Sequence, residues 1–219
     1  MQKIMFDDHY GLTQAVLDGS KDMTRRFCDV QYYAQSLGLT VPVRRVFLRD
    51  GIAYFEHYRG VDRIPVRQQP RYKIGEVVAV SECYDTILSR LSNNVAVERL
   101  KRTIAAYHHK SSYSEVFGAK NKMYVMSRFM RNYIRFVDLR VERLQDISGA
   151  DCLREGIIQG TYCGKPYFTF YGSQEKDGTP VGYSSPIYAF SELINKMSGK
   201  HTWNVNRWNY VYAFERILL

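Results

Sequence analysis

RNYIRFVDLRVERLQDIS, Arg131–Ser148, is the longest strand-like run in the chain, and the rest of the sequence is read outward from it. Ile134 and Phe136 alternate onto one face, whereas Val137, Leu139 and Val141 alternate onto the other. A strand cannot change its buried face without an extra residue, so the phase slip predicts a β-bulge near Phe136–Asp138. Directly after it, Ser148 and Asp151 stand at capping-box spacing, with Asp in place of the usual Glu. They open a helix of one or two turns through Glu155, with Gly156 as its stop. So short a helix is not stable alone and has to dock on a core.

Upstream, Lys3–Phe6 reads as a short first strand. Asp8 and Thr13 are candidate N-caps for a brief helix through Leu17, and Gly19 suits the left-handed C′ position. Met23–Val30 follows as a strand, its alternation placing Thr24 and Arg26 on one face and Arg25 on the other. Asp50–Gly51 between two β-prone runs signals a hairpin. Pro65 and Pro70 bracket a basic connection, and Gly75 precedes a buried strand, Val77–Val80. From Asp85 to His109 apolar residues recur every three or four positions, a helical pattern broken at Ser92–Asn94. Lys110–Asn121 is polar and reads as a mobile connection. Residues 85–121 therefore look like a helical insertion over one rim, either a lid or a decoration.

Downstream, Thr161–Gly172 suggests a strand or hairpin, and Ser173–Ser184 a flexible loop. Ser185 as N-cap with Pro186 at N1 starts a helix through Ser198. Trp203–Trp208 reads as a loop in which Trp208 anchors the last strand. Tyr210–Ile217 is apolar on both faces, hence central. No repeat and no linker divides the chain, so 1–219 reads as a single domain. The expected class is α+β, built on a small mixed barrel with short helices and the helical insertion.

Composition narrows the function. The 219 residues carry 31 Lys and Arg against 22 Asp and Glu, a net charge of +9, which suits a polyanionic partner. The 18 tyrosines and 11 phenylalanines offer stacking surfaces for bases, although most such rings belong to cores and strands. No apolar run reaches the roughly 18 residues of a membrane span, and Met1–Tyr10 has acidic residues where a secretory apolar region would lie. A cytoplasmic protein with no membrane partner is the expectation. Cys28, Cys83, Cys152 and Cys163 are scattered without a C-x-x-C pair, and His108–His109 are adjacent, so neither a metal nor a cofactor is expected.

The candidate site starts at AVLDGSKDMTRRF, Ala15–Phe27, where a helix stop delivers Lys21, Thr24, Arg25 and Arg26 within six positions. An amine, a hydroxyl and two guanidinium groups so close together suit one wall of a pocket for a phosphate, a nucleobase or an acyl group. Glu155, Glu82 at a strand end and Trp203 complete the candidates.

Four segments together resemble the phage-type ASCH-domain proteins: Ala15–Phe27, YKIGEVVAVSE (Tyr72–Glu82), VDLRVERLQDISGADCLREGI (Val137–Ile157) and AFSELINKMSGKHTWNVNRWNYVYAFERI (Ala189–Ile217). The resemblance covers about half of the chain. It implies a PUA-like fold, a compact β-barrel with packed helices, a phage or prophage origin, and binding of RNA or a modified nucleoside. One small bacterial branch of that family hydrolyses the acetyl amide of N4-acetylcytidine with a Lys, a Thr and a Glu. Lys21 and Thr24 match its K-x-x-T spacing, and Glu155 is the residue set opposite its Glu. Three readings follow: a nucleoside- or RNA-binding pocket of Lys21, Thr24, Arg26 and Glu155; an amidohydrolase using Lys21, Thr24 and Glu155; or a protein that binds a host partner through the 85–121 insertion. The second needs a neutral lysine near pH 7, about three units below its usual pKa of about 10.4. Burial, Arg25 and Arg26 push that value down, while a carboxylate and a helix C-terminus push it up.

Overall fold

The computed structural model describes residues 1–28, 43, 45–59, 62–116, 119–174 and 178–217. Five strands form the main sheet, in the order β1 (Lys3–Ile4), β6 (Val77–Val80), β7 (Tyr133–Arg143), β10 (Trp208–Ile217) and β2 (Met23–Phe27). All neighbours run antiparallel except β1 and β6. β10 has neighbours on both sides and is buried from Asn209 through Phe214, as its two apolar faces predict.

The bulge falls where the hydrophobic phase slips. Ala213 pairs with Asp138 and Phe214 with Phe136, so Val137 is the extra residue. It points outward, and the bulge returns Leu139 and Val141 to the face of Ile134 and Phe136. The expectation that Leu139 and Val141 lie opposite Phe136 is thereby corrected: one inserted residue restores a single core face.

A second sheet, β3 (Arg45–Arg49), β4 (Ile52–Arg59) and β5 (Asp62–Gln68), is antiparallel throughout. Asp50 and Gly51, both at positive φ, form the β3–β4 turn. The stretch around Pro65, expected as a connection, is the edge strand β5, where a residue without an N–H is tolerated. Ala53, Phe55 and Val66 of this sheet join Ile134, Phe136, Tyr210, Tyr212 and Phe214 of the main sheet in one core. A third sheet is the hairpin of β8 (Ile158–Tyr162) and β9 (Lys165–Thr169), turning at Cys163–Gly164, also at positive φ. The described strands thus make an α+β arrangement of three sheets, and none of the three closes into the barrel expected from the sequence.

The helices sit close to their expected places. α1 spans Leu12–Asp18, α2 Tyr84–Ser89, α3 Asn94–Tyr107, α4 Gly149–Arg154, α5 Pro186–Ser198 and α6 Thr202–Val205. Asn93 caps α3 by accepting from Val95 and Ala96 N–H, which explains the break after α2. Ser148 caps α4 through the Asp151 N–H, but the Asp151 carboxylate turns to Arg140 and Arg25. Ser185 caps α5, with Pro186 in its first turn. α6 replaces the expected loop; at four residues it is too short to display a period, and Asn195 holds it by accepting the Trp203 N–H. Val30, the end of the strand expected after Met23, lies outside the described residues, as do parts of the connections expected at Lys110–Asn121 and Ser173–Ser184.

The segment expected as an insertion, 85–121, contributes Ile87 and Ile104 to a second small core that also holds Ala79, Tyr84, Val125 and Met130. Two lysines tie it to the N-terminus. Lys3 donates to the carbonyls of Lys122, Met123 and Val125, and Lys122 donates to the Phe6 carbonyl and to Asp8. Within the expected mobile connection, Tyr113–Glu115 is an ordered turn, its Tyr113 hydroxyl donating to Asp85. No helix among the described residues is long and apolar enough to cross a membrane.

Candidate functional site

The two halves of the site are both helix exits. α1 ends at Gly19, whose positive φ lets its N–H return to the Val16 carbonyl, and the Lys21 N–H then bonds to Ala15 O. α4 ends at Glu155, and Gly156 follows at φ 104°. Asp22 clamps these exits together: its carboxylate accepts two bonds from Arg154 at 2.7 and 3.2 Å, and its N–H bonds to the Arg154 carbonyl. The clamp sets Lys21 against Glu155, 134 residues apart in sequence.

Lys21 Nζ donates to Glu155 Oε2 at 2.7 Å and to the Glu155 carbonyl at 2.7 Å, so one amine satisfies both the carboxylate and an orphan carbonyl at the helix end. Lys21 is 2% exposed, Thr24 4% and Glu155 5%. Gly156 makes room for them; a Cβ there would lie 2.9 Å from Leu12 Cδ2 and 3.7 Å from Lys21 Cδ. Burial lowers the Lys21 pKa, partly offset by the charge and hydrogen bond of Glu155, with Arg26 and Arg25 adding to the depression. Of the opposing influences expected from the sequence, desolvation is the largest, so the net direction is downward.

Alternation along β2 separates Arg25 from Thr24 and Arg26 at the backbone, yet the long Arg25 side chain reaches the same carboxylate. Its guanidinium donates to Glu155 Oε1 at 3.0 Å and to Glu142 Oε2 at 3.0 Å, with Asp151 3.6 Å away. Arg26 donates to the Met5 carbonyl at 2.7 Å and lies over the Phe6 ring. The Nε–H of each arginine is buried and has no hydrogen-bond partner among the described residues.

These groups line a cavity of about 70 Å3 with one polar wall, Lys21, Thr24, Arg25, Arg26 and Glu155, and one apolar wall that includes Phe6, Leu12, Phe190 and Leu193. The Thr24 hydroxyl makes no hydrogen bond with the described residues, so it is available to a ligand. Five of the seven expected site residues converge here.

Glu82 and Trp203 do not. Glu82 is buried at the end of β6 against Arg90 and Asn132 and lines a different cleft. Trp203 packs edge-on to Phe190 from α6, outside the cavity lining. Strand and helix ends look alike in sequence, and the placement of both residues depends on long-range packing. Glu142, Asp151 and Phe190 were not anticipated as site residues. Glu142 had a usable signal, since it sits on β7 within reach of any partner that β10 brings alongside.

A scan against protein-family models, a search of curated proteins and a search of solved structures each found no match to the chain.

Proposed function

We propose that the Lys21–Thr24–Glu155 cavity, whose volume of about 70 Å3 suits an acyl group rather than a whole base, receives the acyl group of an acylated nucleobase of the N4-acetylcytidine type and hydrolyses its exocyclic amide. The observation that carries this reading is the burial of an amine, a hydroxyl and a carboxylate on one wall of a single small cavity. Kinship with ASCH-domain proteins and a PUA-like derivation of the fold belong to the same proposal and rest on the four sequence segments.

The chemistry assigns one role to each group. With Lys21 neutral, its amine takes the Thr24 hydroxyl proton as Oγ1 attacks the acyl carbon. The buried Nε–H groups of Arg25 and Arg26 are free to receive the developing oxyanion or a ring carbonyl. Glu155 passes the proton to the leaving nitrogen, the C–N bond breaks, and cytidine leaves with its amine restored. Water then attacks the acyl-threonine through the same groups, releasing acetate. A low-dielectric cavity favours this sequence because burial shifts Lys21 toward its neutral form.

The charge balance of the cavity favours a small uncharged ligand group over a phosphate. Lys21 and Arg25 already face Glu155, Glu142 and Asp151, and Arg26 is engaged by a backbone carbonyl. Binding of an RNA strand is the second reading, supported by the net charge of +9; phosphate contacts outside the cavity would make it weaken as salt rises.

The test is incubation of the purified protein with N4-acetylcytidine, with cytidine release followed by chromatography for wild type, Lys21→Ala, Thr24→Val and Glu155→Ala. Turnover lost in all three variants supports the proposal. Absence of turnover, or turnover indifferent to the substitutions, refutes it.

A further inference from the structure

The cleft that holds Glu82 lies between α1 and α2, beside the start of β7 and the end of β10, and has a volume of about 370 Å3, within the range of ligand pockets. It shares no lining residue with the Lys21 cavity. Three guanidinium groups meet here: Arg90 from the end of α2, Arg131 ahead of β7, and Arg216 from β10.

A chain of polar contacts fixes them. The Glu82 side chain, 2% exposed, pairs with Arg90 through Oε1 and accepts the Asn132 amide through Oε2 at 2.6 Å. Arg216 donates to the Leu17 carbonyl and to Asn132 Oδ1 at 3.5 Å. A carboxylate this buried costs free energy unless it is paired and hydrogen-bonded, and both partners here are groups that line the cleft. Glu82 thus acts as an internal counter-charge that orients Arg90 and Asn132. It neutralises one of the three arginines. Arg216 has no carboxylate partner, and Arg131, exposed, makes no ion pair or hydrogen bond among the described residues. The cleft carries a net charge of about +2 at neutral pH, since arginine stays protonated.

We propose that this cleft is a second binding site, for the phosphate group of a phosphate ester. Planar guanidinium groups match phosphate oxygens in bidentate geometry. Leu17 and Ile87 supply an apolar surface beside them for the part of the ligand that carries the phosphate. Because Arg90 and Ile87 belong to the inserted segment, the insertion completes this site rather than the Lys21 cavity.

The experiment titrates the full chain by calorimetry at fixed low salt with inorganic phosphate, cytidine 5′-monophosphate, cytidine and a short single-stranded RNA. Wild type should bind at least one phosphate-bearing probe and should not bind cytidine at this site. Arg131→Glu, at an exposed and unpaired position, should keep the melting temperature and weaken that binding by roughly 10-fold or more. Arg216→Met should weaken it as well. Thr24→Val, which disables the first cavity, should leave it unchanged, so the two proposals fail separately. Binding of the monophosphate identifies a nucleotide; binding of the RNA without the monophosphate identifies a strand. No binding by any phosphate probe, or equal binding by wild type and Arg131→Glu, overturns the inference.

Discussion

Replacing Glu155 by Gln keeps the shape of the side chain and removes the one charge on which Lys21 and Arg25 converge. Lys21 retains only the Glu155 carbonyl, whereas Arg25 retains Glu142 and Asp151, so the amine bears most of the loss. Removing one partner of a buried ion pair costs about 3–5 kcal/mol. For a chain of this size each kcal/mol moves the melting temperature by about 2–4 °C, so the midpoint should fall by about 6–20 °C near neutral pH. The pH dependence is more diagnostic. In wild type the Glu155 charge and hydrogen bond raise the Lys21 pKa against desolvation; in the variant only the lowering influences of burial, Arg25 and Arg26 remain. The folded pKa then lies further below the unfolded value of about 10.4. Between those two values the unfolded chain binds the additional proton, so stability rises with pH. The deficit of Glu155→Gln relative to wild type should therefore narrow as pH is raised toward about 10. Urea unfolding at several pH values measures it, and groups common to both proteins cancel in the difference. A loss below about 1 kcal/mol, or a deficit that widens with pH, would refute the account of a desolvated pair.

Gly156 and the cysteines give further outcomes. Gly156→Ala puts a Cβ 2.9 Å from Leu12 Cδ2 at a φ of 104°, which should cost about 1–3 kcal/mol and lower both the melting temperature and any turnover; an unchanged melting curve contradicts the packing described. Cys152 is fully buried and its thiol is pushed up to about 12, mainly by desolvation, whereas Cys163 is exposed on the β8–β9 turn. A thiol reagent should modify Cys163 in the native protein and Cys152 only after unfolding, as mass spectrometry of the labelled peptides would report. The same raised value makes the Cys152 contribution to stability complete below the unfolded pKa of about 8.5 and progressively lost at higher pH.

Local rules carried much of the fold. The phase slip around Val137 located the bulge because a period of two tolerates no other cure, and Asp50–Gly51 marked a hairpin because few residues accept positive φ. Ser148 and Ser185 announced helix starts through side chains that satisfy orphan N–H groups, whereas Ser92–Asn94 signalled only a break, which Asn93 turns into a cap. Lys21, Thr24 and Glu155 were legible as candidates from their spacing and the family resemblance. Their meeting was expected only through the resemblance, because the contact itself depends on the Asp22–Arg154 clamp between two helix exits. Arg25 joins the site from the opposite face of β2, because strand alternation fixes where a Cβ points and not where a guanidinium several bonds away ends up. Glu82 and Trp203 lie outside the Lys21 cavity for a related reason: sheet order puts β6 two positions from β10, and α6 packs Trp203 edge-on to Phe190. β5 was hidden by Pro65, which only an edge position makes compatible with a strand.

The proposed reaction turns on the desolvated Lys21 amine, which has to give up a proton before it can activate Thr24 against an acylated nucleobase. The most direct measurement is the initial rate of cytidine release from N4-acetylcytidine across about pH 5–10, compared between wild type and Glu155→Gln. The wild-type rate should rise as Lys21 loses its proton, and the variant rate should be far lower at every pH. A rate no greater than the buffer blank, or a wild-type profile that is flat across the range, would contradict it.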